Sequence, residues 1–374
     1  MSGYRTLHRE EPDHFEDGSI IPVWSVSFAD SNVFYAATAA GYVKSYCIRS
    51  KSATDNDSDI LDARGLHLKH FSSLMPFESK KDCLNSSLML CQVKAVSLDS
   101  SDSGGVVTKH LVCAISIDGK ILVWEHEFEK DKIEFDTNEV KKHYFQYVYN
   151  YSDVTGTSLA LQKYNNGDYH AAVGCRDGSI LIVNVTTEKE NQWEKIEGKD
   201  AADCVMSLAW SNCGMFLASG HQDGIVNVFK KIDSDGGGKR FYFKRLYSIA
   251  PHRECVRAIT FTKDSYLLLT GSDDSIVQTF DIQRASGKAA LTGSYECHES
   301  WVLGIASHSD SKRFVTAGGD KKIKVWDLTM RDCVHTFDGV HSDKVWALTC
   351  SHDGNRVVSC GDDGKIVIYS CEER

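Results

Sequence analysis

Three histidines precede an aspartate by the same interval of 22 residues: His252 and Asp274, His298 and Asp320, His341 and Asp363. A carboxylate that orients an imidazole, beside a hydroxyl whose proton the imidazole can take, is the apparatus of a serine hydrolase. Ser272 is a hydroxyl close to the first of these aspartates, whereas Gly318 and Gly361 stand in the corresponding places of the other two. A catalytic set occurs once in a chain. This set recurs, and the recurrence argues for a structural role, so no residue is expected to be catalytic.

Other chemistries find no foothold. No HExxH, no CxxC pair and no carboxylate-rich calcium loop occurs, so no metal is expected. The glycines Gly236 to Gly238 lie in a polar stretch, SDGGGK, rather than between a strand and a helix, and read as a loop. No cofactor and no small-molecule substrate is expected. The 13 cysteines are scattered singly through apolar runs and read as reduced core residues. Acidic residues outnumber basic ones by 52 to 42, a formal net charge of -10, which disfavours direct nucleic-acid binding. No apolar run long enough for a signal peptide or a membrane span is seen, so an intracellular chain with no membrane role is expected.

The elements that would hold these residues form a repeat. An apolar strand, an aspartate, a small turn residue and a second strand recur in CAISIDGKILVW, AVGCRDGSILIV, ASGHQDGIVNVF, LTGSDDSIVQTF, TAGGDKKIKVW and SCGDDGKIVIY. The aspartates are Asp118, Asp177, Asp223, Asp274, Asp320 and Asp363, separated by 59, 46, 51, 46 and 43 residues. A degenerate copy, YAATAAGYVKSY, comes first, with Ala40 in place of the aspartate. Each copy reads as a β-hairpin, and most are preceded by an inner strand such as VWSVSF, VMSLAW, VRAITF or VWALTC. A period near 40–45 residues with four short strands resembles the WD repeat. The expected fold is therefore all-β, a single seven-bladed WD-repeat β-propeller spanning 1–374. Its ring is closed by the N-terminal strand Tyr4 to Glu10, which covers the edge of the last blade. Expected blade limits are 11–60, 61–135, 136–195, 196–240, 241–290, 291–335, and 336–374 joined by 1–10. Polar segments at 51–65, 97–105 and 125–142 read as solvated loops, with an accessory binding arm as the alternative.

The WD resemblance implies that each His-Asp pair joins a Ser or Thr and a third-strand aromatic in a buried hydrogen-bond network. The structural set is then His252, Ser272, Asp274, His298, Asp320, Trp326, His341 and Asp363, with Trp326 alone supplying an indole donor. Partner binding is expected on one rim, where inner strands begin and aspartate turns meet. The rim candidates are Trp24, Arg257 and Trp346 beside the inner-strand valine, Trp301 just ahead of it, and Arg176, Gln222, Asp273 and Asp362 just ahead of the turn aspartate. Lys94, Met206 and Leu303 occupy further inner-strand places. Exposed tryptophan and arginine are the residues from which binding hot spots are made.

One family resemblance goes further. The stretch SWVLGIASHSDSKRFVTAGGDKKIKVWDLTMRDCVHTFDGVHSDKVWALT, with VRAITFTKDSYLLLTGSDDSIVQTFDIQ and LAWSNCGMFLASGHQDGIVNVF before it, resembles the small WD-repeat subunit of the superkiller complex (the WD repeat protein sixty-one type). The resemblance is strong from about residue 200 onward and weak over 51–195. It implies a non-catalytic scaffold in mRNA decay by the RNA exosome, 3′ to 5′. It also implies membership of the Paf transcription-elongation complex, with a tetratricopeptide-repeat scaffold subunit as partner in each. Cytoplasm and nucleus are the implied locations. Alternatives are a WD-repeat substrate receptor or chromatin-complex adaptor, a meiotic recombination accessory factor, and an enzyme built on a propeller, which would need one non-repeating polar cluster.

Overall fold

The computed structural model describes residues 4–50, 66–75, 89–98, 107–129, 144–149, 156–164, 167–185, 193–196, 203–233, 241–283 and 289–371. The architecture is all-β, of the seven-bladed β-propeller class, and no helix occurs among the described residues. The strands in chain order are β1 (Tyr4–Glu10), then β2 (Val23–Phe28), β3 (Val33–Thr38), β4 (Val43–Ser50) and β5 (Leu66–Leu74), which make the first blade. The second comprises β6 (Leu90–Ser97), β7 (Val107–Ser116), β8 (Ile121–Glu129) and β9 (Tyr144–Tyr149). The third has β10 (Gly156–Lys163), β11 (Tyr169–Cys175), β12 (Ile180–Asn184) and β13 (Trp193–Ile196), and the fourth β14 (Val205–Trp210), β15 (Phe216–His221), β16 (Val226–Asp233) and β17 (Phe241–Ile249). The fifth has β18 (Val256–Phe261), β19 (Leu267–Ser272), β20 (Ile276–Asp281) and β21 (Ala290–Glu296). The sixth has β22 (Val302–Ser307), β23 (Arg313–Gly318), β24 (Ile323–Asp327) and β25 (Asp332–Phe337). The last comprises β26 (Val345–Cys350), β27 (Arg356–Gly361), β28 (Ile366–Cys371) and β1.

The chain divides into two compact units, residues 1–150 with 351–374, and residues 151–350. In the first unit β1 runs antiparallel to β28, Tyr4 opposite Cys371 and Glu10 opposite Ile366, so the N-terminal strand is the outer strand beside the last blade's own. The second and third strands are the most deeply buried of the blades, and some of them, VFYAAT of β3 and ILIVN of β12 among them, read as near-continuous apolar runs rather than alternating ones. VFYAAT of β3 and IVIYSC of β28 are buried at every position.

Four expected blade limits fall one strand early. β5, β9, β17 and all but the first residue of β21 lie beyond the limits at 60, 135, 240 and 290, yet pair with β4, β8, β16 and β20. In each case a polar segment separates the outer strand from the third strand of its blade and mimics a boundary in the sequence. Segment 51–65 lies outside the described residues, as do 99–105 and 130–142 of the other two expected loops and the glycines Gly236 to Gly238.

The recurring aspartate closes the turn between the second and third strands. Asp177, Asp223, Asp274, Asp320 and Asp363 each accept the backbone N–H two residues on, at 2.9 to 3.2 Å. The residue that follows the turn position in the degenerate copy, Gly41, keeps the left-handed φ of 84° without an aspartate ahead of it. Ala40 there is only 3% exposed because Phe15 and Ile21 lie against it, with Tyr42 in the same cluster. The segment that carries them is itself tied down. Asp13 accepts the Tyr42 hydroxyl at 2.5 Å and pairs with Lys44 at 3.1 Å. A polar turn residue at position 40 would be buried without water, which is the physical reason for alanine.

Candidate interaction rim

Six inner strands carry a β-bulge at their second residue. The register breaks between Val23 and Ser25, Leu90 and Gln92, Gly156 and Ser158, Val205 and Ser207, Val256 and Ala258, and Val302 and Gly304. The extra residues are Trp24, Cys91, Thr157, Met206, Arg257 and Leu303. A bulge leaves one residue out of the ladder and re-aims its side chain. Lys94, expected in this series, is not part of it: the bulge of β6 falls at Cys91, three residues earlier, because β6 begins with Leu90 rather than with Val93.

A backbone hydrogen bond then sets the aspartate turn against the strand entry. The N–H just ahead of the turn aspartate donates to the carbonyl just ahead of the inner strand in Gln222 to Cys204, Asp273 to Cys255 and Gly319 to Trp301, at 3.1, 3.0 and 2.9 Å. Ile117 to Met89 repeats it at 2.9 Å. Two side chains far apart in sequence thereby become neighbours on one rim.

In the unit of residues 151–350 this produces a charged aromatic cluster. Arg257 Nε donates to both carboxylate oxygens of Asp273, at 2.7 and 2.9 Å. Its guanidinium lies 5.5 Å from the ring centre of Trp301, and Lys344 Nζ lies 4.9 Å from the same ring. Trp301 is 38% exposed. Trp346 is half-buried, and its indole N–H is buried with no hydrogen-bond partner among the described residues. Arg176 and Gln222 are exposed. In the other unit, Trp24 is half-buried and its indole N–H donates to Asp362 at 3.2 Å. Trp24 and Asp362 thus form a rim pair in one unit, and Arg257, Asp273 and Trp301 a rim triplet in the other.

The His-Asp pairs are built into the blades. His252 Nδ1 meets Asp274 at 2.9 Å and its Nε2 meets the Thr270 hydroxyl at 2.9 Å. His298 does the same with Asp320 at 2.9 Å and Thr316 at 2.8 Å, and Trp326 Nε1 donates to Thr316 at 3.0 Å. The hydroxyl expected at Ser272 is therefore a correction. Ser272 donates instead to the Glu254 carbonyl at 3.0 Å. Positions 270 and 272 share one face of β19, but the imidazole reaches deeper along the strand, to the hydroxyl four residues ahead of the aspartate. In the last blade that place is Ser359, which meets the Tyr369 hydroxyl at 3.1 Å. Neither Gly318 nor Gly361 marks a missing hydroxyl. His341 and Asp363 are each 4% exposed.

These sets have the parts of a hydrolase but not the access. The His252 and His298 side chains are 0% exposed, and Thr270 and Thr316 are likewise 0%. Burial lowers the His252 pKa against the pull of Asp274, so the ring stays neutral. Burial would raise Asp320, but His298 and the backbone N–H groups of Glu299 and Lys322 outweigh it. No three His, Cys, Asp or Glu side chains come together as a metal site among the described residues.

Several residues escaped the sequence reading. Met89 and Ile117 are 37% and 52% exposed and sit beside each other on the second blade. Applying to Asp118 the rule used for Arg176 and Gln222 would have found Ile117. Lys344 carried no such signal. The fourth blade replaces the missing histidine from its own strand: His221 Nδ1 donates to the Asp203 carbonyl at 3.1 Å, leaving Nε2 to accept from Ser219 at 2.9 Å and Asn227 at 2.9 Å. Cys213 is exposed, against the expectation of core cysteines.

The WD domain, G-beta repeat model matches residues 193–230, 243–281, 289–327 and 331–370. Each match begins in the outer strand of one blade or one residue ahead of it, and ends in the third strand of the next, so the sequence repeat is staggered by one strand from the blade. The same stagger leaves β1 to complete the last blade. The chain is 28% identical over 276 residues to WD repeat-containing protein SL1-17 of Schistosoma mansoni, covering 74% of this chain and 78% of that one. It is 25% identical over 153 residues to WD repeat-containing protein 55 of Arabidopsis thaliana, 41% of this chain and 40% of that. It is 28% identical over 204 residues to apoptotic protease-activating factor 1 of Rattus norvegicus, 54% of this chain and 15% of that. With four matched repeats and relatives of this kind, the chain carries WD40 repeats and is similar to WD repeat-containing proteins.

Proposed function

We propose that the chain is a non-catalytic protein-interaction scaffold whose docking surface is the rim of aspartate turns and bulged strand entries. The observation that carries this reading is Trp301, 38% exposed and flanked by Arg257 and Lys344, with Arg257 anchored by Asp273. Ordered aromatic and arginine side chains at a surface supply binding energy at low entropic cost. We further propose that the chain is a subunit of the superkiller complex that supports exosome-mediated mRNA decay, and of the Paf complex, in cytoplasm and nucleus. Its direct partner is a tetratricopeptide-repeat scaffold subunit. Support comes from the residues of blades four to seven, CVHTF followed by VWALT above all. The net charge of -10 suits a subunit that leaves RNA contact to others.

Affinity purification of the tagged full chain with mass spectrometry tests the assignment. Recovery of a superkiller helicase complex or a Paf complex is expected, and absence of both overturns it. The triple change Trp24→Ala, Trp301→Ala, Trp346→Ala tests the rim. Loss of the tetratricopeptide partner with an unchanged melting curve is expected. A folded variant that still recovers every partner rejects the rim.

A further inference from the structure

A second buried polar chain lies in the unit of residues 1–150 with 351–374, away from the aspartate turns. The Tyr35 hydroxyl of β3 meets His110 Nδ1 of β7 at 2.9 Å and His126 Nδ1 of β8 at 2.7 Å. His110 Nε2 faces Asp30 Oδ2 at 3.4 Å, and His126 Nε2 faces the Ser72 hydroxyl at 3.3 Å. Ser72 continues to Ser45 at 2.5 Å. Tyr35, His110 and Ser45 are 0% exposed, His126 1% and Ser72 5%. Phe128 closes the pocket with its ring 5.0 Å from His110 and 5.2 Å from His126. The first and second blades therefore meet through one phenol and two imidazoles.

Counting hydrogens fixes what this arrangement tolerates. A phenol owns one hydrogen and can donate it to one imidazole nitrogen only, so the other Nδ1 must carry a hydrogen and donate. With both rings neutral this is satisfied: Tyr35 donates to one Nδ1 and accepts from the other. With one added proton it is still satisfied: His110 as imidazolium faces the Asp30 carboxylate and donates to Tyr35, and Tyr35 donates to His126. With two added protons both Nδ1 atoms become donors, the Tyr35 hydrogen faces no acceptor within the set, and two buried cations share one oxygen. We propose that Tyr35, His110 and His126 form a one-proton lock between the first two blades, which holds at neutral pH and opens in mild acid when a second proton is forced onto the pair.

The surroundings agree. Burial alone would raise the Asp30 carboxyl, but His110 and the backbone N–H groups of Asn32 and Val33 hold it well below the usual carboxylate range. The other titratable group against Tyr35 is Cys47 of β4, itself 4% exposed, and burial raises the Tyr35 phenol strongly, so it stays neutral. Lys109, Glu125 and Glu127 pair among themselves at the alternate positions of β7 and β8, on the face turned from the lock. β6 contributes Val93 and Ala95, which bring no charge.

The test is histidine imidazole NMR on the full chain from pH 8 to pH 5, with amide hydrogen exchange of β7 and β8. The lock predicts that one of the two rings stays neutral well below the ordinary histidine value of about 6.5 while the fold is intact. It also predicts that the opening equilibrium of those amides rises up to about tenfold per pH unit below that value, as one linked proton requires. His126→Gln keeps an acceptor for Tyr35 and a donor for Ser72, and should lose one proton of this dependence. Both rings charged in the folded chain at pH 5.5 overturns the proposal, as does an acid dependence unchanged in H126Q. Should that variant not fold, the titration of the two rings in the unaltered chain decides alone.

Discussion

His298 Nε2 lies 2.8 Å from the Thr316 hydroxyl, and the same hydroxyl accepts the Trp326 indole N–H at 3.0 Å. One oxygen thus satisfies two buried rings. Thr316→Val keeps the shape but strands both partners, and should cost about 1–3 kcal/mol of stability, with Thr316→Ser restoring most of it. Denaturant unfolding measures both. The adjacent Gly318 separates two accounts of this blade. If it were a vacant hydroxyl position, Gly318→Ser would complete the network and stabilise. A Cβ there would come within 2.5 Å of His298 Nδ1 and 2.6 Å of Asp320 Oδ1, so G318S is expected to destabilise instead.

Thiol chemistry should concentrate at one place among the described cysteines. Burial pushes the Cys113, Cys175 and Cys350 thiols up to about 12, and Cys255 to about 11. At Cys213 partial burial acts the same way, but hydrogen bonds from Ser211, the Met215 backbone and Ser265 outweigh it and lower the thiol. Reactivity follows thiolate fraction and exposure. Brief iodoacetamide treatment of the native chain at pH 7.5, read by peptide mass spectrometry, should modify Cys213 ahead of these four. Equal labelling of Cys213 and Cys175 would contradict the assignment.

Strand order and turn positions were legible because the aspartate turn and the apolar runs on either side of it are local. What was not legible was depth and neighbourhood. Ser272 and Thr270 lie on the same face of one strand, and only the reach of the His252 ring chooses between them. Cys91 rather than Lys94 occupies the bulge because pairing register, not a hydrophobic pattern, decides where the extra residue falls. Ala40 looked like decay of the repeat, whereas it is buried under Phe15 and Ile21 from a segment nearly twenty residues earlier. The Tyr35 lock joins three strands from two blades, a juxtaposition that no spacing along the chain announces.

The N-terminal strand carries a prediction of its own. β1 supplies the only neighbour of the outer side of β28 among the described residues, through pairs from Tyr4–Cys371 to Glu10–Ile366. Tyr4 is 8% exposed against it. Removing residues 1–10 leaves β28 as a bare edge with unpaired backbone groups. The melting temperature of the full chain should fall by several degrees, and hydrogen exchange at 366–371 should rise well above that of β24. An unchanged melting curve would mean that β1 adds no stability.

His170 gives a pH dependence in the unit of residues 151–350. Its ring is packed edge-on against Tyr164 at 4.6 Å and Phe241 at 5.4 Å, and its Nδ1 is buried with no hydrogen-bond partner among the described residues. Burial lowers its pKa to about 4; Asp168 opposes this and the Lys231 charge adds to it. Lys231 Nζ is 4.3 Å from the Tyr164 ring centre and 4.7 Å from that of Phe241, so a second cation has no room there. The sign follows from the lowered value. Above about pH 6.5 the ring is neutral folded or unfolded and contributes no pH dependence. Between about 6.5 and 4 the unfolded chain takes up a proton that the folded chain refuses, so stability falls as pH falls, by at most about 1.4 kcal/mol per unit. His170→Phe removes the titration and keeps the ring in the aromatic cluster. Comparing melting of the two chains at pH 7.5 and 5.0, with exchange followed at β11 and β16, should show a smaller acid loss in the variant. An equal loss would place the acid sensitivity of these blades elsewhere than at His170.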